Sequence, residues 1–188
     1  MASVVLKSSK RFSEAHRKNM HTVTATRTIN TPVATVWDAI DDFGNVYRFH
    51  PDVKHSESIN VAGTGEGVQR QCDFYNGGVI REEVVERIPE ERQVSNVYDL
   101  GSFPLKEMVG SFDLKPIDEN STDVTFTMSF VPKYGPVGWL MAKVMMKGQF
   151  RDVAEGILSG LDTHLQTGET VGQDGDPETA DAPTATVA

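Results

Sequence analysis

Arg70, Cys72, Arg81 and Glu83 flank an Asn76-Gly77 dipeptide within a run of alternating residues, and they are the first place to look for chemistry. Asn-Gly supplies both positive-φ positions of a type I′ turn, so the sequence predicts a hairpin with a two-residue loop in which Tyr75 pairs with Gly78. That register sets Phe74 opposite Val79, Cys72 opposite Arg81, Arg70 opposite Glu83 and Val68 opposite Val85, all on one face. An arginine–glutamate pair on an apolar face is costly unless hydrogen-bonded, which makes it a candidate ligand anchor. It could equally be a cross-strand pair near the sheet end, partly solvated. A one-residue slip would turn such a pair to water. Arg81 could hold a carboxylate or an enolate oxygen, or it could snorkel to the rim. Cys72 reads as a small core residue rather than a nucleophile, because no histidine is assigned near it.

Two further residues could act as acid–base groups. His50 precedes Pro51 in a loop expected at a cavity mouth, where a neutral imidazole could gate, donate to a ligand or move a proton. The alternative is a hydrogen bond that fixes the loop. Tyr98 is expected to point inward with Val94 and Leu100, its hydroxyl meeting a ligand or water. Glu83, His50 and Tyr98 are thus the catalytic candidates. His16, His21, His55 and His164 have no partner spacing, and no His/Asp/Glu group has metal-ligand spacing, so no metal or cofactor is expected. Gly63-Thr64-Gly65-Glu66-Gly67 lacks the lysine of a phosphate loop and opens no helix; it reads as a hairpin turn. No Ser–His–Asp arrangement is legible.

These residues need a scaffold, and composition bounds it. The 188 residues suit one domain, with an apolar share adequate for a core. The formal charge of −9 is unevenly spread. Residues 1–20 carry Lys7, Lys10, Arg11, Arg17 and Lys18 against Glu14, and residues 167–188 carry five carboxylates and no base. The acidic body argues against nucleic acid as a partner. The single Cys72 excludes an intrachain disulfide and fits a reducing cytoplasm. No stretch is apolar enough to span a membrane, so no stable membrane insertion is expected. Residues 1–20 read as a disordered basic arm, with Met20 a sensible initiator, and 167–188 as a disordered acidic tail.

Between them, residues 21–30 alternate strictly, with Thr22, Thr24, Thr26 and Thr28 on the outer side. Thr31 as N-cap and Pro32 at the first position open a helix with Val33, Val36, Trp37 and Ile40 as its buried stripe. A second short helical turn covers Val46 to Phe49. Strands are expected at about 54–62, 67–75, 78–88, 92–100, 106–115 and 122–132. Met108, Gly110, Phe112 and Leu114 point inward from the sixth strand, and Val124, Phe126, Met128 and Phe130 from the last. A long helix follows Gly135-Pro136 and closes near Leu165. Its first half, Trp139, Leu140, Met141, Val144, Met145 and Met146, is soft enough to adapt to a guest, or is plain core filling.

Four segments carry a family resemblance. Thr31-Pro32-Val33-Ala34-Thr35-Val36-Trp37-Asp38-Ala39-Ile40-Asp41-Asp42-Phe43-Gly44 resembles the opening of the SRPBCC (START-like) superfamily. Arg48-Phe49-His50-Pro51-Asp52-Val53 is similar to its Trp/Phe-His-Pro segment, and Gly77-Gly78-Val79-Ile80-Arg81-Glu82-Glu83-Val84-Val85 to its Gly-Gly-hydrophobic-Arg-Glu hairpin. Gly135-Pro136-Val137-Gly138-Trp139-Leu140-Met141 resembles the start of its closing helix. The resemblance covers residues 21–166 and is nearest to the polyketide cyclase/dehydrase and lipid-transport branch. It implies an α+β helix-grip fold: a seven-stranded curved antiparallel sheet around a long C-terminal helix, with two short helices between strands 1 and 2. It also implies that Glu83 occupies the family's cavity-facing glutamate position. No histidine–cysteine iron–sulfur segment of the dioxygenase relatives is present.

The expected function is binding or carrying a small hydrophobic molecule or lipid. The expected lining is Arg70, Cys72, Phe74, Arg81, Glu83 and Tyr98, joined by Met108, Phe112, Phe126, Met128, Trp139 and Val144. Two alternatives stand: a metal-free enzyme of cyclase, dehydratase or isomerase type acting on a carbonyl-bearing substrate, and a groove for a protein partner.

Overall fold

The computed structural model describes residues 20–60, 64–133, 135, 147–173 and 175–178. Strand β1 (His21–Ile29) is followed by helix α1 (Val33–Asp41) and a 3-10 helix (Phe43–Arg48). Strands β2 (Val53–Ser58), β3 (Gln69–Phe74), β4 (Val79–Ile88), β5 (Arg92–Asp99), β6 (Leu105–Asp118) and β7 (Ser121–Pro132) come next. Helix α2 (Lys147–Thr167) follows them. The strands form one antiparallel sheet in the order β1-β7-β6-β5-β4-β3-β2, so every neighbour except the β1–β7 pair is a hairpin partner. The two helical segments after β1 carry the chain from one sheet edge to the other.

Alternation places the core. Val23, Ala25 and Ile29 of β1 and Val124, Phe126, Met128 and Phe130 of β7 are buried on the concave face. On the convex face, Thr24 and Thr127 meet hydroxyl to hydroxyl at 3.3 Å, and Thr26 and Thr125 at 3.0 Å. Helix α2 lays Ala154, Ile157, Leu158 and Leu161 onto the concave side, the i, i+3, i+4, i+7 spacing of one helical face. Gly160 lets it come close: a Cβ there would stand 2.2 Å from the Phe49 carbonyl oxygen.

Helix α1 begins one residue later than expected. Pro32 is its N-cap and no side chain caps it. The Thr31 carbonyl instead accepts the Thr122 hydroxyl at 2.9 Å, tying the helix entrance to β7. At the other end Asp41 receives a two-pronged bond from Arg87, Nε to Oδ1 at 2.7 Å and Nη2 to Oδ2 at 2.6 Å, which fastens α1 to β4.

The β3–β4 hairpin differs from expectation in a way that reaches the site. Its loop has three residues, Tyr75-Asn76-Gly77, and Phe74 N–H bonds to the Gly78 carbonyl at 2.8 Å. Gly77 is left-handed (φ 83°), whereas Asn76 is not, and the Asn76 side chain accepts the Gly78 N–H at 2.9 Å. A type I′ turn needs both residues left-handed; with only the glycine so placed, the connection is the three-residue type that ends in a left-handed glycine. The extra loop residue moves the register by one: Arg70 pairs with Glu82, Gln71 with Arg81 and Gln69 with Glu83.

The described chain continues past α2 into the stretch from 167. Gly168 (φ 74°) ends the helix with its N–H on the His164 carbonyl at 2.7 Å, a left-handed glycine cap. Val171 then docks with only 2% of its surface exposed, its N–H on the Arg48 carbonyl at 2.9 Å.

Candidate functional site

Between the concave sheet face and α2 lies a cavity of about 410 Å³. Phe112 and Phe126 meet at a tilt in its wall with ring centroids 4.7 Å apart, and Phe74 meets Phe103 edge-on at 5.4 Å. Met108, Met128, Ile80, Phe150 and Ile157 complete most of the apolar lining. A separate open cleft of about 590 Å³ runs past Asp38, Asp41, Asp42 and His55. It is open to solvent, and two of its carboxylates are already engaged, Asp41 by Arg87 and Asp42 by the Asn45 amide at 2.9 Å. The apolar cavity under α2 is therefore the better candidate site.

The expected lining divides cleanly. Arg70, Cys72, Phe74, Met108, Phe112, Phe126 and Met128 face the cavity. Arg81, Glu83 and Tyr98 do not. Glu83 and Arg81 were expected inward on the two-residue-loop register; the three-residue loop turns both to the convex face. There Arg81 bonds Gln71 Oε1 at 3.1 Å and Asp99 Oδ2 at 2.8 Å, while Glu83 receives the Gln69 amide at 3.4 Å. Tyr98 is 45% exposed and donates to Gln69 Oε1 at 3.2 Å. Its reversal follows from irregular β4–β5 pairing, where Arg81 meets Asp99 but Glu82 meets Val97. Val97, not Tyr98, is the buried residue of that pair. Trp139 and Val144 lie outside the described residues.

Glu82 takes the place expected of Glu83. It is 6% exposed and its Oε2 accepts Arg70 Nε at 2.6 Å and also Arg70 Nη2. Arg70 Nη1 donates to the Phe43 carbonyl at 3.0 Å, and the guanidinium lies 3.9 Å over the Phe43 ring. Burial alone would lower the Arg70 pKa, but the Glu82 carboxylate and the Cys72 thiol beside it outweigh that and raise it. The cation is thus held in an apolar wall by a carboxylate, a carbonyl and a ring face.

Burial also pushes the Cys72 thiol up to about 12, Arg70 only partly opposing the shift. A thiol so protonated is a packing group. His50 goes the other way. Burial, and next the charge of Arg70, lower its pKa from 6.5 to about 3. Its Nδ1 accepts the Asp52 N–H at 3.3 Å, which puts the ring proton on Nε2. The loop-fixing bond therefore exists, on a neutral ring that also lines the cavity.

Among the polar lining residues that sequence reasoning missed are Glu82, Gln93 and Ser95. A three-residue reading of Tyr75-Asn76-Gly77 would have turned Glu82 inward. Counting β5 inward from Val97 would have found Gln93 and Ser95. Among the described residues no group of three or more His, Cys, Asp or Glu could hold a metal ion.

Sheet, helix and cavity together define a START-like helix-grip protein of the SRPBCC superfamily. The chain belongs to the family described as polyketide cyclase/dehydrase and lipid transport, whose model matches residues 20–166. Among solved structures, a START superfamily protein from Mycobacterium smegmatis superposes with a TM-score of 0.63 at 18% identity, covering 78% of this chain and 97% of its own. The ZhuI aromatase/cyclase from a Streptomyces species gives 0.61 at 14% identity, covering 81% and 99%. A protein of Thermus thermophilus gives 0.64 at 21%, covering 80% and 100%. At these identities the likeness is one of fold. No curated protein sequence matches the chain. No helix among the described residues is long and apolar enough to cross a membrane.

Proposed function

We propose that this protein binds and carries a small hydrophobic molecule or lipid in the cavity between its sheet and α2. The observation that supports this most is the mainly aromatic and aliphatic space of about 410 Å³, whose arginine is already paired with Glu82. That volume suits a guest of drug-like size. The family description, which names lipid transport, points the same way. A single buried thiol suits a reducing compartment such as the cytoplasm.

The cyclase or dehydratase alternative draws on the family description and on the fold shared with the ZhuI aromatase/cyclase. It is the weaker reading, because Glu83, Tyr98 and Arg81 lie on the convex face. His50 with its Nε2–H remains as a proton donor to a carbonyl. A protein-partner groove is weaker still, since the cavity is open inside the fold rather than collapsed.

Native mass spectrometry of freshly purified protein, followed by extraction, tests the carrier reading. An adduct that survives gentle ionisation and yields an apolar molecule on extraction is the expected result. Protein that is empty, and that also fails to take up an apolar fluorescent dye, overturns it.

A further inference from the structure

Three charged residues line the cavity, Arg70, Glu82 and Asp52, and the first two form an ion pair. Every nitrogen of the Arg70 guanidinium has a protein partner: Nε and Nη2 reach Glu82 Oε2, and Nη1 the Phe43 carbonyl. Both bonds to Glu82 fall on Oε2, so among the described residues Oε1 accepts none. Along β5 on the same concave face stand two more polar side chains, Ser95 diagonal to Glu82 and Gln93 two residues further on. Gln93 is 4% exposed and Ser95 is buried, and both line the cavity. Neither side chain makes a hydrogen bond among the described residues. Among the described residues neither Gln93 nor Ser95 has a fully enclosed polar atom left without a bond, so their polar atoms keep surface open to the cavity. Across from Ser95 stands Gly110. A Cβ there would come within 3.3 Å of Ser95 Oγ and 3.5 Å of the Phe126 ring, so the bare position leaves the hydroxyl uncovered.

Buried polar groups without partners are costly unless a guest or water satisfies them. We infer that the cavity selects an uncharged apolar molecule with a hydroxyl or hydroxy-carbonyl end, its O–H on Glu82 Oε1 and its oxygen on the Gln93 amide and Ser95 hydroxyl. A carboxylate end would face the Glu82 carboxylate while finding Arg70 already engaged. This rests on the carrier reading above and adds the chemistry of the guest's polar end. The neutral His50 ring adds no positive charge that would favour an anion.

The test is displacement of N-phenyl-1-naphthylamine by 2-naphthol, 2-naphthoate and 2-methylnaphthalene at neutral pH, with circular dichroism checking each variant's fold. In the wild type 2-naphthol should displace the dye at about tenfold lower concentration than either other compound. Any apolar cavity disfavours naphthoate, so the variants decide. Glu82→Gln leaves Arg70 without its counter-charge and should reverse the order in favour of naphthoate. Gln93→Leu keeps the ion pair and should bring 2-naphthol down to the level of 2-methylnaphthalene. Glu83→Gln, on the outer face, should change nothing. Wild type that binds naphthol no better than methylnaphthalene overturns the inference, as does a folded Gln93→Leu with unchanged preference or a folded Glu82→Gln that still favours naphthol. Wild type that does not bind the dye at all overturns the carrier reading itself and this inference with it.

Discussion

Glu82 and Glu83 are adjacent in the chain and live in different solvents. Glu82 sits in the concave wall, both its bonds on one oxygen and both from Arg70. Glu83 lies on the convex face, where its neighbours Gln69, Tyr98, Arg81 and Asp99 form a loose surface network. The composition of the two faces is similar: each pairs an arginine with a carboxylate and carries a glutamine. What separates them is the medium. The same charge pair that is worth about 0–1 kcal/mol in water becomes expensive to break when the surrounding wall is phenylalanine and methionine.

The largest contrast should come from truncating each carboxylate. Glu82→Ala leaves the Arg70 cation buried and unpaired and should lower unfolding free energy by about 3–5 kcal/mol in urea titrations. Glu83→Ala should stay within about 0.5 kcal/mol of wild type. Equal losses would mean that the two faces do not differ as described.

Gly160→Ala attacks only the cover of the concave face. Its Cβ would meet the Phe49 carbonyl oxygen at 2.2 Å, so α2 must move away from the loop that carries His50. A loss of about 1–3 kcal/mol is expected, together with weaker dye uptake. Retention of both values would show that α2 does not approach Phe49 so closely.

His50 makes the concave face sensitive to acid. The ring titrates near 6.5 in the unfolded chain and near 3 in the fold, so between those values the unfolded state binds the extra proton. Stability should therefore fall as the pH drops below about 6.5, with a slope of at most about 1.4 kcal/mol per pH unit, and should not depend on His50 above it. The carboxylates titrate in part of the same range, so the quantity to measure is the difference between wild type and His50→Gln. A difference flat from pH 7 to pH 4 would contradict the depressed pKa.

A small effect belongs to the Arg81–Asp99 pair of the convex face. Arg81→Ala should cost no more than about 1 kcal/mol, and that cost should fade in high salt. A salt-independent loss would place Arg81 in a drier setting than the convex face provides.

The fold was legible because its signals are long and redundant. Strict alternation in β1 and β7 names both faces residue by residue, and a wrong end by one or two residues changes nothing. The site was legible only in part, because it hangs on single-residue registers. Asn76-Gly77 announces a hairpin, but whether the loop has two or three residues depends on the φ of Asn76, which the dipeptide does not determine. On that one angle turn Arg81, Glu82 and Glu83. Strand β5 failed for a related reason. Tyr98 is the residue one would bury on hydrophobicity, yet the irregular pairing with β4 sends it out and brings Gln93 and Ser95 in. Polar residues inside a cavity break the very alternation from which strand faces are read.

The most direct test of the cavity as the binding site uses nuclear Overhauser contacts between bound 2-naphthol and protein methyl groups labelled at Met and Ile. Met108, Met128, Ile80 and Ile157 line the cavity, whereas Ile88 and Ile117 stand exposed outside it. The account predicts contacts from the naphthyl ring to the first set and none to the second. Contacts to Ile88 or Ile117 alone would place the ligand on the outer surface and contradict it.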